Sequence, residues 1–341
     1  MAIKRRRHAP SSRTHRIANA VNPVAPNKVR RAAVIGAGTI GAGWAALFLA
    51  NDIAVAAYDP APEAETRLRA WIARAWPALR DLGLAGEGEP GAVTVHGTVE
   101  AAVEGAEFVQ ENGPEDEAGK AKLLAQIDAA LPPDVVIASS TSAFLVSDLQ
   151  GECRHPERLV LGHPFNPPHL VPLVEVAGGR QTAGWAVDWA MDFYRRIGQI
   201  PIRLEREIYR HVANRLQSVV WNEAVRLLEM GIASPADIDK AVAFGPGLRW
   251  AFMGPLLTHH LAGGAGGLEK ALTMFGDPAG GAPDDIRRAA PSEAVKAALL
   301  EDLDAITGGR SIEDLEKARD RTLVAIRKAV ASWAQSWDDP S

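Results

Sequence analysis

The chain has 341 residues, 47% hydrophobic and 23% charged, enough for two domains with their own cores and unlike a disordered polymer. It holds one cysteine, Cys153, which excludes an internal disulfide and a thiol-based metal cluster, and no run of 18 uninterrupted apolar residues that would mark a membrane-spanning helix. Nine of its 37 basic residues lie in the first 31, where there is no acid; the other 28 face 42 acids, so the body is acidic and is expected to bind neither nucleic acid nor a membrane.

Residues 1–29 read as a basic tail without regular structure; a targeting leader or a polyanion-binding arm are the other readings. Ala32 to Ile35 is a short apolar run ending in glycines, as a buried parallel strand does. Ile40 to Ala50 follows as an apolar helix, and Ile53 to Tyr58 as a second strand. Helical spacing returns over Ala61 to Leu82, with Trp71, Ala75 and Leu79 on one side. Ala92 to His96 and Glu107 to Gln110 read as strands with a short helix between them. Glu115 to Leu131 is a helix closed by Pro132-Pro133. Val135 to Ser139, Leu159 to Gly162 and Leu173 to Val176 are strands, and Ala183 to Ile197 is a helix. Such alternation predicts a doubly wound α/β sheet over residues 30–205. After about residue 205 no strand is expected. Val212 to Met230 and Pro235 to Phe244 read as helices, the first stopped by Gly231 and the second capped by Ser234. Further helices are predicted through 284–306 and 311–333, with glycine-rich loops at 263–267 and 276–283. Residues 206–341 are thus expected to form an all-α C-terminal domain.

Gly36-Ala37-Gly38-Thr39-Ile40-Gly41 follows the first strand and opens the first helix. Gly36 permits the tight turn, Gly38 lets a pyrophosphate approach the backbone, and Gly41 allows close helix–strand packing. The helix N-terminus supplies free N–H groups for phosphates. Asp59 ends the second strand, 18 residues after Gly41, and suits the 2′-hydroxyl of a ribose better than a 2′-phosphate. The cofactor expected of this Rossmann-type domain is therefore NAD, held by Gly36, Gly38, Thr39, Ile40, Gly41 and Asp59, with Glu111, directly after the Glu107 to Gln110 strand, added to the set.

His163 lies in Gly162-His163-Pro164-Phe165-Asn166-Pro167, and Glu175 twelve residues on in Pro172-Leu173-Val174-Glu175-Val176. A glutamate inside an apolar strand is costly without a partner. Paired strands can bring it to the imidazole, where it fixes the tautomer and stabilises the imidazolium. An imidazole titrates near ~6.5, which suits a base that takes an alcohol proton as hydride leaves. Cys153, beside Arg154 and His155 only in sequence, is read as an inert thiol.

The chain resembles the 3-hydroxyacyl-CoA dehydrogenase superfamily from residue 32 to about 262. The matching segments are Val34-Ile35-Gly36-Ala37-Gly38, Ala138-Ser139-Ser140-Thr141-Ser142, Gly162 to Pro167, Leu173-Val174-Glu175-Val176 and Ala213-Asn214-Arg215-Leu216, in the family's order. The resemblance implies that His163 is the general base, that Glu175 orients it, and that Ser142 and Asn214 hydrogen-bond the reacting oxygen and the histidine. It also implies a homodimer through the helical domain. Asp59-Pro60-Ala61-Pro62, Ala75 to Leu79 and Phe244 to Pro255 are most similar to the branch that oxidises L-carnitine. A small-molecule substrate and a cytoplasmic enzyme are expected, with L-carnitine taken to 3-dehydrocarnitine. The 3-hydroxyacyl-CoA and L-gulonate branches are the alternatives, and a non-catalytic NAD-binding protein is a remote one. Arg249 suits the substrate carboxylate; Phe144, Trp250 and Phe252 suit a quaternary ammonium, with Trp221 a further aromatic candidate. One departure stands out: Tyr209-Arg210-His211 occupies the place where the family has Pro-Gly-Phe.

Overall fold

The computed structural model describes residues 22–275 and 307–315, with single helical positions between 293 and 329. The loop expected at 276–283, most of the two C-terminal helices and residues 1–21 of the tail lie outside the described residues.

Eight strands form one sheet. They are β1 (Arg31–Ile35), β2 (Ala54–Tyr58), β3 (Thr94–Val95), β4 (Phe108–Glu111), β5 (Val136–Ser139), β6 (Leu159–Pro164), β7 (Leu173–Gly178) and β8 (Ile200–Arg203). Their order is β3-β2-β1-β4-β5-β6-β7-β8. The strands from β3 to β6 are parallel; β7 runs antiparallel to β6, and β8 is parallel to β7. Strand order reverses between β1 and β4, and the carboxyl ends there open the crevice in which such sheets bind ligands.

Helices α1 (Thr39–Ala50), α2 (Ala64–Asp81) and α6 (Gly184–Arg196) bury their apolar residues in one core, with Trp44, Phe48, Ile72 and Phe193. A second core joins α3 (Val99–Val103), α4 (Glu117–Ala129) and α5 (Val146–Leu149) to other strand residues, among them Ile35, Val109 and Ile137. Successive strand side chains point to opposite faces, so the central strands, covered on both, are mainly apolar, with their polar residues at the carboxyl ends of β4, β5 and β6.

Two differences from expectation have physical causes. β8 carries no predicted signal, because it is a four-residue edge strand containing Pro201. An edge position tolerates proline, since only one side of the strand is paired. The end of the tail is packed onto α6: Trp189 Nε1 donates to the Val24 carbonyl, Arg196 to those of Pro26 and Val29, and Val29 is buried. By compactness the chain divides into two units after Val219, inside α7 (Ala213–Glu229). The entry to α7 is bonded to the strands, through His211 to Thr141 and through Val212 and Ala213 to Glu175.

The second unit contains α8 (Pro235–Phe244), α9 (Pro246–Trp250), α10 (Pro255–Ala262) and α11 (Gly267–Phe275). Ser234 caps α8 as expected, accepting from the Asp237 N–H. The glycines expected to form a loop at 263–267 instead make a short 3-10 turn, Gly264–Gly266, that leads directly into α11. Among the described residues of this unit, Met253, Leu261 and Leu315 form a small core.

Candidate active site

The glycine turn follows β1 without a break. Gly36 has a φ of 90°, and a Cβ on it would lie 2.5 Å from the Asn112 carbonyl oxygen. A Cβ on Gly41 would lie 1.9 Å from the Gly36 oxygen, so the turn and α1 close on each other only as glycines. Over Gly38 the space is open, with nothing within 4 Å of such a Cβ. No side chain caps α1, so its first-turn N–H groups and dipole face this open space. Thr39 is exposed there, and Ile40 is half-buried. Asp59 accepts from the Ala37 N–H at 2.8 Å and the Ala61 N–H at 2.9 Å. Each carboxylate oxygen keeps a lone pair for a further donor. An open glycine backbone, an uncapped helix start and a half-buried acid together fit the diphosphate and ribose of a dinucleotide.

His163 and Glu175 are register partners across the antiparallel β6–β7 pair. Side chains of directly opposed residues lie on the same face. His163 Nδ1 is 2.8 Å from Glu175 Oε2, and both residues are buried. A carboxylate accepts, so Nδ1 carries the proton and Nε2 keeps its lone pair. The other oxygen of Glu175 accepts from the N–H groups of Val212, at 2.8 Å, and Ala213, at 3.0 Å. Burial acts to raise the Glu175 carboxyl, but the bonds from His163, Ala213 and Val212 outweigh it and hold the group below its ordinary value.

A cleft of about 650 Å³ brings together His163, Ser142, Asn214 and Ile40. Glu175 lies behind the histidine, off the cleft wall. Ser142 donates its N–H to Glu115, which fixes the loop after β5. Sequence reasoning missed other groups on the wall, among them Ser140, Asn166, Glu115 and Lys120. Two of these, Ser140 and Asn166, stand in the quoted motifs; Lys120 sits on a helix, α4, with no local signal that sets it apart. Behind the wall runs a buried chain of hydrogen bonds. Tyr194 donates to Gln110 at 2.7 Å, and Gln110 donates to the Gly162 carbonyl and to Ser140, which donates to Asn112. Burial pushes the Tyr194 phenol upward, so it stays a donor. A separate hollow of about 470 Å³ is lined by Ala37, Gly38 and Thr39 with Arg67, Trp71 and Arg74 of α2, none of the latter anticipated as site residues.

Glu111 and Phe144 are placed differently from expectation. Glu111 is fully buried; its oxygens take bonds from Lys120 at 2.9 Å, the Gly113 N–H at 2.6 Å and the Ser139 hydroxyl at 2.5 Å. It has no surface to offer a cofactor and instead holds the loop after β4. Phe144 is packed against the core under α4 and α5, off the cleft wall, because its loop folds back through the bond from its N–H to the Thr141 hydroxyl. Arg249, Trp250 and Phe252 lie in the second unit, at the end of α9 and just beyond it. Arg249 and Trp250 are exposed, and Phe252 packs on the small core there. Trp221, also in that unit, is exposed. Burial, with Asp128 acting in the same direction, pushes the Cys153 thiol up to about 12, away from nucleophilic thiolate.

Comparison with known proteins shows the family. The family model described as 3-hydroxyacyl-CoA dehydrogenase, NAD binding domain, matches residues 31–208, and the model of the C-terminal domain matches residues 211–298. A Streptomyces griseus protein named L-carnitine dehydrogenase is 47% identical over 317 residues, covering 93% of this chain and 95% of its own. One of the same name from Streptomyces coelicolor is 49% identical over 306 residues, covering 89% of this chain and 96% of its own. The solved structure of a 5-formyl-3-hydroxy-2-methylpyridine 4-carboxylic acid 5-dehydrogenase superimposes with a TM-score of 0.69 at 32% identity, over 89% of this chain and 99% of that one.

Proposed function

Because the chain belongs to the 3-hydroxyacyl-CoA dehydrogenase family, and so is an NAD-dependent dehydrogenase of a hydroxyl group, we propose that its substrate is L-carnitine, oxidised at C3 to 3-dehydrocarnitine. The observation that carries the chemistry is the meeting of His163, Ser142 and Asn214 in one cleft, with Glu175 fixed behind the histidine. The relatives at 47% and 49% identity support the substrate.

Gly36, Gly38, Thr39, Ile40 and Gly41 hold the diphosphate in this reading, and Asp59 takes the ribose hydroxyls. NAD, when bound, supplies the hydride acceptor. The Nε2 lone pair of His163 receives the C3 hydroxyl proton, and its Nδ1–H stays on Glu175. Glu175 remains ionised and stabilises the imidazolium without taking the proton. Ser142 and Asn214 hydrogen-bond the reacting oxygen and limit its orientation. Arg249 is proposed for the carboxylate, and Trp250 and Phe252 for the trimethylammonium. The same reading includes a homodimer, supported by the apolar exposure of α7, and a cytoplasmic location, supported by use of the soluble cofactor NAD.

NADH formation at alkaline pH, followed with L-carnitine, L-gulonate, 3-hydroxybutyrate and 3-hydroxybutyryl-CoA, tests the substrate. The expected result is a kcat/KM for L-carnitine at least about tenfold above the others, the discrimination that about 1.4 kcal/mol provides. Preference for the thioester, or silence on L-carnitine, sinks the proposal.

A further inference from the structure

Beside His163 stands a second buried imidazole for which the mechanism above has no use. His211 is 1% exposed, and its ring centroid is 4.9 Å from that of His163, the two planes tilted by 50°. Its Nε2 lies 2.9 Å from the Thr141 carbonyl oxygen. A carbonyl only accepts, so Nε2 carries the proton and the neutral ring keeps a lone pair on Nδ1. That Nδ1 is buried and has no hydrogen-bond partner. The backbone that presents the ring is also unusual: Arg210 and His211 have φ of 62° and 50°, a region disfavoured for residues with a Cβ. An apolar ring would fill this space without leaving a polar atom unpaired. Packing alone therefore does not account for a histidine here.

We propose that His211 is a positioning residue for His163: a neutral imidazole, held by the Thr141 carbonyl, that braces the base. The proposal rests on the reading of His163 as the base.

The ionisable groups facing His211 are His163 on β6 and Glu175 on β7. The loop after β5 adds the Thr141 carbonyl, and Glu115 is bonded to the hydroxyl of that same threonine. Arg210 precedes it on its own turn. Burial holds His211 below the ordinary imidazole value of 6.5; charge on His163 acts in the same direction, and the Thr141 carbonyl and Glu175 act against it. The ring is thus neutral while the base cycles.

Imidazole nitrogen NMR and kinetics test this together. His211 should appear as the Nε2–H tautomer with a midpoint below 6.5, and that midpoint should rise in His163→Gln, where the like charge is gone. With L-carnitine and NAD, His211→Ala should lose about tenfold or more in kcat, while the KM for NAD changes by less than about twofold. His211→Gln keeps an N–H for the Thr141 carbonyl and cannot titrate. It should recover most of kcat. A His211 midpoint indifferent to His163→Gln, or a His211→Gln enzyme as impaired as His211→Ala, overturns the proposal. Turnover by His163→Gln judges the base separately: full activity would remove that role, and the spectral coupling of the two rings would still be read without it.

Discussion

Glu175 shows how one side chain is asked for two things by its surroundings. Its carboxyl lies below the ordinary 4.5 in the folded protein because donors from His163, Ala213 and Val212 outweigh burial. A depressed folded value stabilises the protein fully above 4.5, and that contribution is lost as pH falls through the lower folded value. Glu175→Gln cannot titrate, so its stability should fall less steeply with acid than that of the wild type. Denaturant unfolding from about pH 7 to about pH 3 measures this, and parallel curves for the two proteins would contradict it. Asp59 makes a second claim at this scale. Asp59→Ala should raise the KM for NAD by about tenfold, the worth of about 1.4 kcal/mol of hydrogen bonding, and relax rejection of NADP. Unchanged selectivity between the two cofactors would remove Asp59 from the ribose.

Among the elements, the turn Tyr209-Arg210-His211 repays attention. The family's Pro-Gly-Phe puts glycine where this chain has Arg210, and Arg210 still adopts the left-handed φ of 62° that glycine accepts freely. Arg210→Gly should therefore raise stability, by at most about 1 kcal/mol, because relief of the strained backbone exceeds the added freedom of the unfolded chain. A thermal midpoint below that of the wild type would refute the argument. The elements also show what was legible beforehand. β1, α1 and β2 announce themselves, since apolar runs, glycines and Asp59 are local signals. β8 does not, being short, edge-placed and broken by Pro201. The residue types of the catalytic pair were legible, but their distance was not. It depends on the antiparallel register of β6 and β7, and a slip of one residue would send Glu175 to the opposite face. His211 was visible only as a departure; its burial against His163 comes from a turn that local propensity disfavours.

For the whole molecule, α7 poses the question. It is 17 residues long, its described residues include none that is buried, and it shows Leu216, Val219 and Trp221 at 57%, 67% and 69% exposure. An amphipathic helix gains its stability mainly by burying an apolar face. A two-fold partner offering the same face would cover it. Light scattering should give a dimer, and Trp221→Glu should shift the population towards monomer. A wild-type monomer at micromolar concentration would leave the exposed face without this explanation.

The two oxygens of Glu175 also impose an order of events. The base and its carboxylate partner are borne on β6 and β7, yet one carboxylate oxygen waits for the amides of Val212 and Ala213, more than thirty residues further along the chain. Until those amides arrive, the buried oxygen is unsatisfied and the carboxyl is drawn towards its neutral form, which grips an imidazole weakly. The arrangement works as an interlock. A nascent chain with its sheet complete and its first long C-terminal helix undelivered carries a histidine that is present but unarmed, and competence comes with the latch.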